Sequence, residues 1–161
     1  MQNFRTGFGF DVHPLVENRE LVLGGVTIPF HKGLLGHSDA DVLVHAIIDA
    51  LLGAAALGDI GTQFPDNEVK YKDISSLILL ERTNKLITEK GYEIGNIDTT
   101  VVLEKPKLKS FIPQIITKLS FVLKIEKSAV SVKATTTEGL GFTGRGEGVA
   151  AYATVLIYSK V

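Results

Sequence analysis

Apolar positions recur along this chain with two periods, and the changes of period mark out strands and helices. Residues 4–12 read as a strand, and residues 21–23 and 26–30, parted by Gly24-Gly25, as a short strand pair. A helix is expected over 40–57, with Ser38 or Asp39 as N-cap and with Asp41, His45 and Asp49 stacked at four-residue intervals on one face. A second helix, 74–90, carries Leu77, Leu80, Leu86 and Ile87 and stops at Gly91. Residues 94–103 form a β-branched strand that ends before Pro106, and 110–122 an amphipathic helix with Pro113 in its first turn. Strands over 130–137 and 149–158 complete the chain. Strands interleaved with helices predict an α+β fold, a single-domain sandwich over 1–161 of a mixed β-sheet with helices packed on one face.

With 161 residues, 45% of them hydrophobic, the chain can bury the core of one globular, soluble domain. Its formal charge of -1, with no basic stripe, argues against nucleic acid and anionic membranes and for a small-molecule partner. The longest apolar-rich stretch, 46–57, is too short to cross a bilayer and contains Asp49. The absence of cysteine excludes disulfides, thiolate zinc sites and a cysteine nucleophile. Together with a start unlike a signal peptide, it fits a reducing cytoplasm, or an organelle if a targeting segment preceded Met1.

Chemistry concentrates in two places. Asp11 and His13 alternate along a strand and so share a face, while His37-Ser38-Asp39-Ala40-Asp41 leads into the helix bearing His45. Asp11, His13, His37, Asp39, Asp41 and His45 are all candidate ligands, and spacing does not separate them. Two imidazoles and a carboxylate with one open position is the donor set of a catalytic zinc. His31 reads as a surface residue. Near the C-terminus, Thr135-Thr136-Thr137-Glu138 runs into a glycine-dense turn ending at Gly148. Exposed N–H groups, threonine hydroxyls and Arg145 suit phosphate oxygens there, and Glu138 is a hard ligand for magnesium or manganese. Taken alone, Lys105-Pro106-Lys107-Leu108-Lys109 reads as a solvated loop.

Gly-Phe-Asp-Val-His at 9–13, His-Ser-Asp-Ala-Asp-Val at 37–42, Leu-Gly-Asp-Ile-Gly at 57–61, Phe-Pro-Asp at 64–66, Lys-Ala-Thr-Thr-Thr-Glu at 133–138 and Gly-Phe-Thr-Gly-Arg-Gly-Glu-Gly at 141–148 occur in this order. Together they closely resemble the 2-C-methyl-D-erythritol 2,4-cyclodiphosphate synthase family over essentially the whole chain. The resemblance implies a phosphorus–oxygen lyase of the non-mevalonate isoprenoid route. Such an enzyme turns 4-diphosphocytidyl-2-C-methyl-D-erythritol 2-phosphate into the cyclic diphosphate and CMP.

It further implies zinc on Asp11, His13 and His45, and His37 and Thr136 as the groups that stabilise the transition state. Ser38 would contact phosphate, Asp59 and Gly61 the methylerythritol hydroxyls, and Phe64, Pro65 and Asp66 would lie in the substrate loop. Pro106 and Lys107 would hold the cytidine, and Thr135 to Glu138 the diphosphate, with a second ion on Glu138. Phe142 and Arg145 would complete the binding set. The resemblance also implies a homotrimer with shared active sites and an axial cavity near Arg145 for isoprenoid diphosphates. Gly36 and Gly139 stand where many members carry alanine and lysine. Two other readings use the same residues: a zinc phosphohydrolase releasing a linear product, and a non-catalytic sensor of isoprenoid diphosphates.

Overall fold

A computed structural model describes residues 3–65, 67–68, 71 and 74–160. Its first half contains β1 (Phe4–Glu17), β2 (Leu21–Leu23), β3 (Val26–Ile28), β4 (Lys32–Leu34), α1 (Val42–Ala54), α2 (Ile60–Gln63) and α3 (Ser76–Glu89). The second half adds β5 (Tyr92–Val102), α4 (Ile112–Leu123), β6 (Val130–Thr135), α5 (Gly141–Gly144) and β7 (Gly148–Ser159). Among the described residues the strands form a five-stranded mixed sheet, ordered β4-β1-β7-β5-β6, and a separate β2-β3 hairpin. β7 is antiparallel to both β1 and β5, whereas β5 and β6 run parallel and are joined through α4.

Alternation decides the two faces of the sheet. On β1 and β7 one set of residues turns inward, including Gly7, Gly9, Val149, Ala151, Ala153 and Val155. The other set, with Phe8, Phe10 and Tyr152, is exposed. The phenol ring of Tyr152 lies 5.0 Å from Phe10 and 6.3 Å from Phe8. α1 packs on the inner face against β1 and β7, with α3 beside it. Almost every residue of α1 is buried, so its run of Val, Leu, Ile and Ala is the centre of the core.

The helix comes close because the strand has no side chains in its way. A Cβ on Gly9 would lie 1.9 Å from the Ala46 carbonyl oxygen, and one on Gly7 would lie 1.8 Å from that of Ala50. Small residues at 46, 50 and 54 recur every four positions and face that strip. The next two inward positions of β1 are Asp11 and His13, so the same contact sets them against the helix turn that bears His45.

The element boundaries differ from the expectations in specific ways. β1 continues to Glu17 because its far end pairs with β4, which the periodicity does not reveal. α1 starts at Val42, since Ala40 is left-handed at φ 56° and Asp41, not Ser38 or Asp39, is the N-cap. The helix ends at Ala54, just before Ala56 takes φ 55°. The strand expected over 130–137 stops at Thr135, and the single-turn helices α2 and α5 were not anticipated. No described helix is long and apolar enough to cross a membrane.

Gly9→Ala drives a methyl group into backbone rather than into a movable side chain, so α1 must lift from the sheet. It is expected to destabilise the fold by about 1–3 kcal/mol, read as a lower denaturant midpoint at unchanged slope. A wild-type midpoint would contradict the close approach.

Candidate metal and phosphate site

Asp11 Oδ2, His13 Nε2 and His45 Nδ1 form a nearly equilateral triangle with edges of 3.0, 3.0 and 3.2 Å. Donors about 2.0–2.1 Å from a tetrahedral ion lie roughly 3.3 Å apart, so this triangle fits one face of such a coordination shell. Among the described residues this is the one group of three or more His, Asp or Glu side chains able to share an ion. Each imidazole is oriented from behind. The Nδ1 of His13 is 2.9 Å from the Leu35 carbonyl, and the Nε2 of His45 is 2.9 Å from Ser76 Oγ and 3.1 Å from Ser38 Oγ. A Cβ on Gly36 would lie 2.9 Å from His13 Cε1, so glycine leaves this ring room that alanine would narrow.

The triangle opens into a cleft of ≈ 390 Å³ that His37, Ser38, Ile60, Gly61, Phe64, Tyr71 and Leu79 also line. Asp49 on α1 accepts the Ile60 N–H at 2.7 Å, and Asp59 caps α2 by accepting from the Thr62 N–H and hydroxyl. Those bonds hold the Asp59 carboxyl below the ordinary carboxylate range. Phe64 packs edge-on against Tyr71, and Pro65 follows it at half-buried depth. Asp66 lies outside the described residues.

Two carboxylates counted among the candidate ligands do other work. Asp41 is fully buried and accepts the N–H groups of Gly24 at 3.0 Å, Gly25 at 2.7 Å and Val44 at 3.1 Å. It therefore caps α1 and ties it to the β2-β3 hairpin, while burial pushes its carboxyl up. Asp39 accepts the Ser76 N–H at 2.9 Å and the Ser76 hydroxyl, and its Oδ1 also takes the Asp41 N–H at 3.2 Å. Neither carboxylate belongs to the triangle. Ser76, a partner of His45 thirty-one residues away, has no local sequence signal.

A second cleft of ≈ 280 Å³ is lined by Leu103, Pro106, Lys107, Leu108, Ala134, Thr135 and Thr136. Its rim is organised by Glu104, whose Oε1 accepts the N–H groups of Thr137 at 2.9 Å and Gly139 at 3.3 Å. Glu104 thus joins the Lys105–Lys107 segment to the threonine turn, a role the sequence reading missed. Thr136 donates to Glu138 Oε1 at 2.6 Å, and Thr137 Oγ1 lies 3.0 Å from Thr143 Oγ1. Arg145 pairs through two nitrogens with Glu147, at 2.8 and 3.1 Å, and Phe142 stays exposed. The two clefts are separate: Val12, Ala150, Val102 and Thr135 form one row across β1, β7, β5 and β6. Three strand spacings put Val12 and Thr135, at the two ends of that row, about 14 Å apart.

An α+β sheet with an Asp-His-His group able to hold a cation at β1 and α1, and a threonine- and glycine-rich turn three strands away, is the class of a metal-dependent enzyme acting on phosphates. The model of the YgbB family matches residues 4–158, and the chain belongs to that family. It is 61% identical over 153 residues to the Clostridium acetobutylicum protein named 2-C-methyl-D-erythritol 2,4-cyclodiphosphate synthase, covering 95% of this chain and 99% of that one. The bifunctional IspDF structure from Campylobacter jejuni matches with a TM-score of 0.96 at 44% identity over 99% of this chain, which spans 43% of that longer one. A Plasmodium falciparum IspF solved as a CDP complex matches with a TM-score of 0.87 at 38% identity, over 99% of this chain and 98% of that one.

Burial raises the Asp11 carboxyl, but hydrogen bonds and attraction from His13 and His45 outweigh it and hold the group at about 2. Burial lowers the His13 imidazole, and its hydrogen bond and attraction to Asp11, with the hydrogen bond to the Leu35 carbonyl, more than reverse this and leave it above 6.5. The signs set a window for the metal-free protein. The depressed carboxyl stabilises above its ordinary value of 3.8 and loses this as pH falls towards 2, and the raised imidazole stabilises fully below 6.5 and loses this as pH rises through its folded value. His13→Ala should therefore destabilise the metal-free protein more at about pH 5.5 than at about pH 9. A denaturation series that found equal losses would contradict the pairing.

Proposed function

We propose that this chain is a lyase converting 4-diphosphocytidyl-2-C-methyl-D-erythritol 2-phosphate into 2-C-methyl-D-erythritol 2,4-cyclodiphosphate and CMP, a step of non-mevalonate isoprenoid synthesis. The observation that carries the reading is the Asp11-His13-His45 triangle, open to a cleft that His37 and Ser38 share. Family membership and near-complete coverage of the Clostridium relative support the same activity.

In the reaction an oxygen of the substrate's 2-phosphate attacks its own β-phosphorus, and the bond from that phosphorus to the CMP oxygen breaks. No protein nucleophile is needed, so the residues act by folding and orienting a flexible substrate, which is worth about 7–11 kcal/mol of barrier. Asp59 and Gly61 hold the methylerythritol hydroxyls, beside the loop of Phe64, Pro65 and Asp66. Ser38 donates to a phosphate oxygen, and His37 and Thr136 hydrogen-bond the oxygens on which charge develops. Pro106 and Lys107 hold the cytidine, Thr135 and Thr137 the diphosphate, and Phe142 and Arg145 shape the turn around it. Asp11, His13 and His45 would hold zinc and Glu138 a magnesium or manganese ion, which together supply polarisation and charge neutralisation of the diphosphate.

The active form would be a homotrimer in the cytoplasm. Two features support assembly: the exposed Phe8, Phe10 and Tyr152 face, and the roughly 14 Å from Val12, between Asp11 and His13, to Thr135 of the second cleft on one chain. A neighbouring copy would bring the cytidine cleft of one chain to the metal cleft of another. The balanced charge and the site's chemistry suit a cytidylyl diphosphate, with neither nucleic acid nor membrane as partner.

Purified protein given zinc, magnesium and the cytidylyl substrate should release CMP and the cyclic diphosphate in equal amounts by mass spectrometry. CMP with a linear product would instead indicate hydrolysis, and binding without turnover a sensor. His45→Ala should lose both zinc and turnover. Thr136→Ala should keep its metal and lose roughly 10²-fold in kcat; loss of metal from that variant would overturn its role.

A further inference from the structure

The two histidines of the triangle are braced differently. The ring nitrogen of His13 that faces away from the triangle meets a neutral backbone carbonyl, that of Leu35. That of His45 meets Ser76 Oγ, and the Ser76 hydroxyl in turn donates to the Asp39 carboxylate. Ser76 is fully buried at the first position of α3, and its backbone N–H is separately bound to Asp39 Oδ2 at 2.9 Å. The hydroxyl is therefore not needed to close the helix end, and it bridges an imidazole and a carboxylate.

We propose that Ser76 and Asp39 are positioning residues that fix the His45 imidazole for the metal through a carboxylate–hydroxyl–imidazole relay. This rests on the zinc reading above. With His45 Nδ1 turned to Asp11 and His13, a neutral metal-binding ring carries its proton on Nε2 and must donate it. Ser76 accepts that proton's hydrogen bond because its own proton is committed to Asp39. The negative charge of Asp39 strengthens the chain and makes the liganding nitrogen a better donor to a cation. Ser38 Oγ is a second neighbour of His45 at 3.1 Å, but it receives the Ala40 N–H, has no carboxylate partner, lies only at 3.5 Å from Ser76 Oγ and lines the cleft. The two serines thus divide the work, Ser76 orienting the ligand and Ser38 facing the substrate.

The test is zinc affinity, measured by competition with a chromophoric chelator on wild type, Ser76→Ala, Ser76→Thr and Asp39→Asn. Ser76→Ala is expected to raise the zinc Kd about 10- to 100-fold, with the metal-free protein still unfolding in one cooperative transition because the Ser76 N–H bond to Asp39 survives. Ser76→Thr, which keeps the hydroxyl, should recover most of the affinity, and Asp39→Asn should fall between. In ¹⁵N-resolved spectra of the zinc-loaded protein, the His45 Nε2 proton signal should shift on Ser76→Ala and not the His13 Nδ1 signal. A wild-type Kd in both Ser76→Ala and Asp39→Asn overturns the relay while leaving the zinc site standing. A wild type that takes up no zinc overturns the zinc reading itself.

Discussion

The backbone-to-helix contact at Gly7 and Gly9 is the constraint on which the molecule depends. It lets the carbonyls of Ala46 and Ala50 lie where side chains of β1 would otherwise stand. Tight packing of this kind resists small displacements, because interiors transmit strain rather than absorb it. Asp11 and His13 continue the inward face of the same strand, and His45 lies on the same helix. A ligand triangle with edges near 3 Å is thus built from rigid elements rather than from loops, as a catalytic constellation requires.

The acidic residues around the triangle divide into those that build and those that bind. Asp41 spends both oxygens on backbone N–H groups of the hairpin and of α1, and Asp49 holds the start of α2. Asp39 joins the approach to α1 to the start of α3. These bonds fix the segments that carry His37 and Ser38 and leave Asp11 as the carboxylate free to face an ion. On the far side of the sheet, Glu104 does for the threonine turn what Asp39 does for His45, joining two segments through hydrogen bonds to one carboxylate.

Much of this was legible in the sequence where the signal was local. Alternation on β1 put Asp11 and His13 on one face, and the helical run placed His45 within reach. Gly24-Gly25 marked the hairpin, whose turn has both glycines left-handed at φ 59° and 72°. What stayed hidden was long-range. Which carboxylates bind and which cap depends on what the fold brings to them, so His37, Asp39 and Asp41 could not be told from ligands by spacing. Ser76 and Glu104 act on residues 31 and 33 positions away. The meaning of Gly7 and Gly9 appears only when α1 lies on them, and the short helices α2 and α5 owe their existence to caps and turns rather than to periodicity.

The most direct test of the shared-site proposal is subunit complementation between His45→Ala and Thr136→Ala, each nearly inactive alone. Under that proposal, co-expression in equal amounts would give mixed trimers in which one junction of three pairs an intact metal cleft with an intact threonine turn. Recovery of about a quarter of wild-type activity is the expected result for cyclic symmetry with random mixing. Activity no higher than that of the two variants assayed separately would mean that each site is built within one chain, and would contradict the proposal.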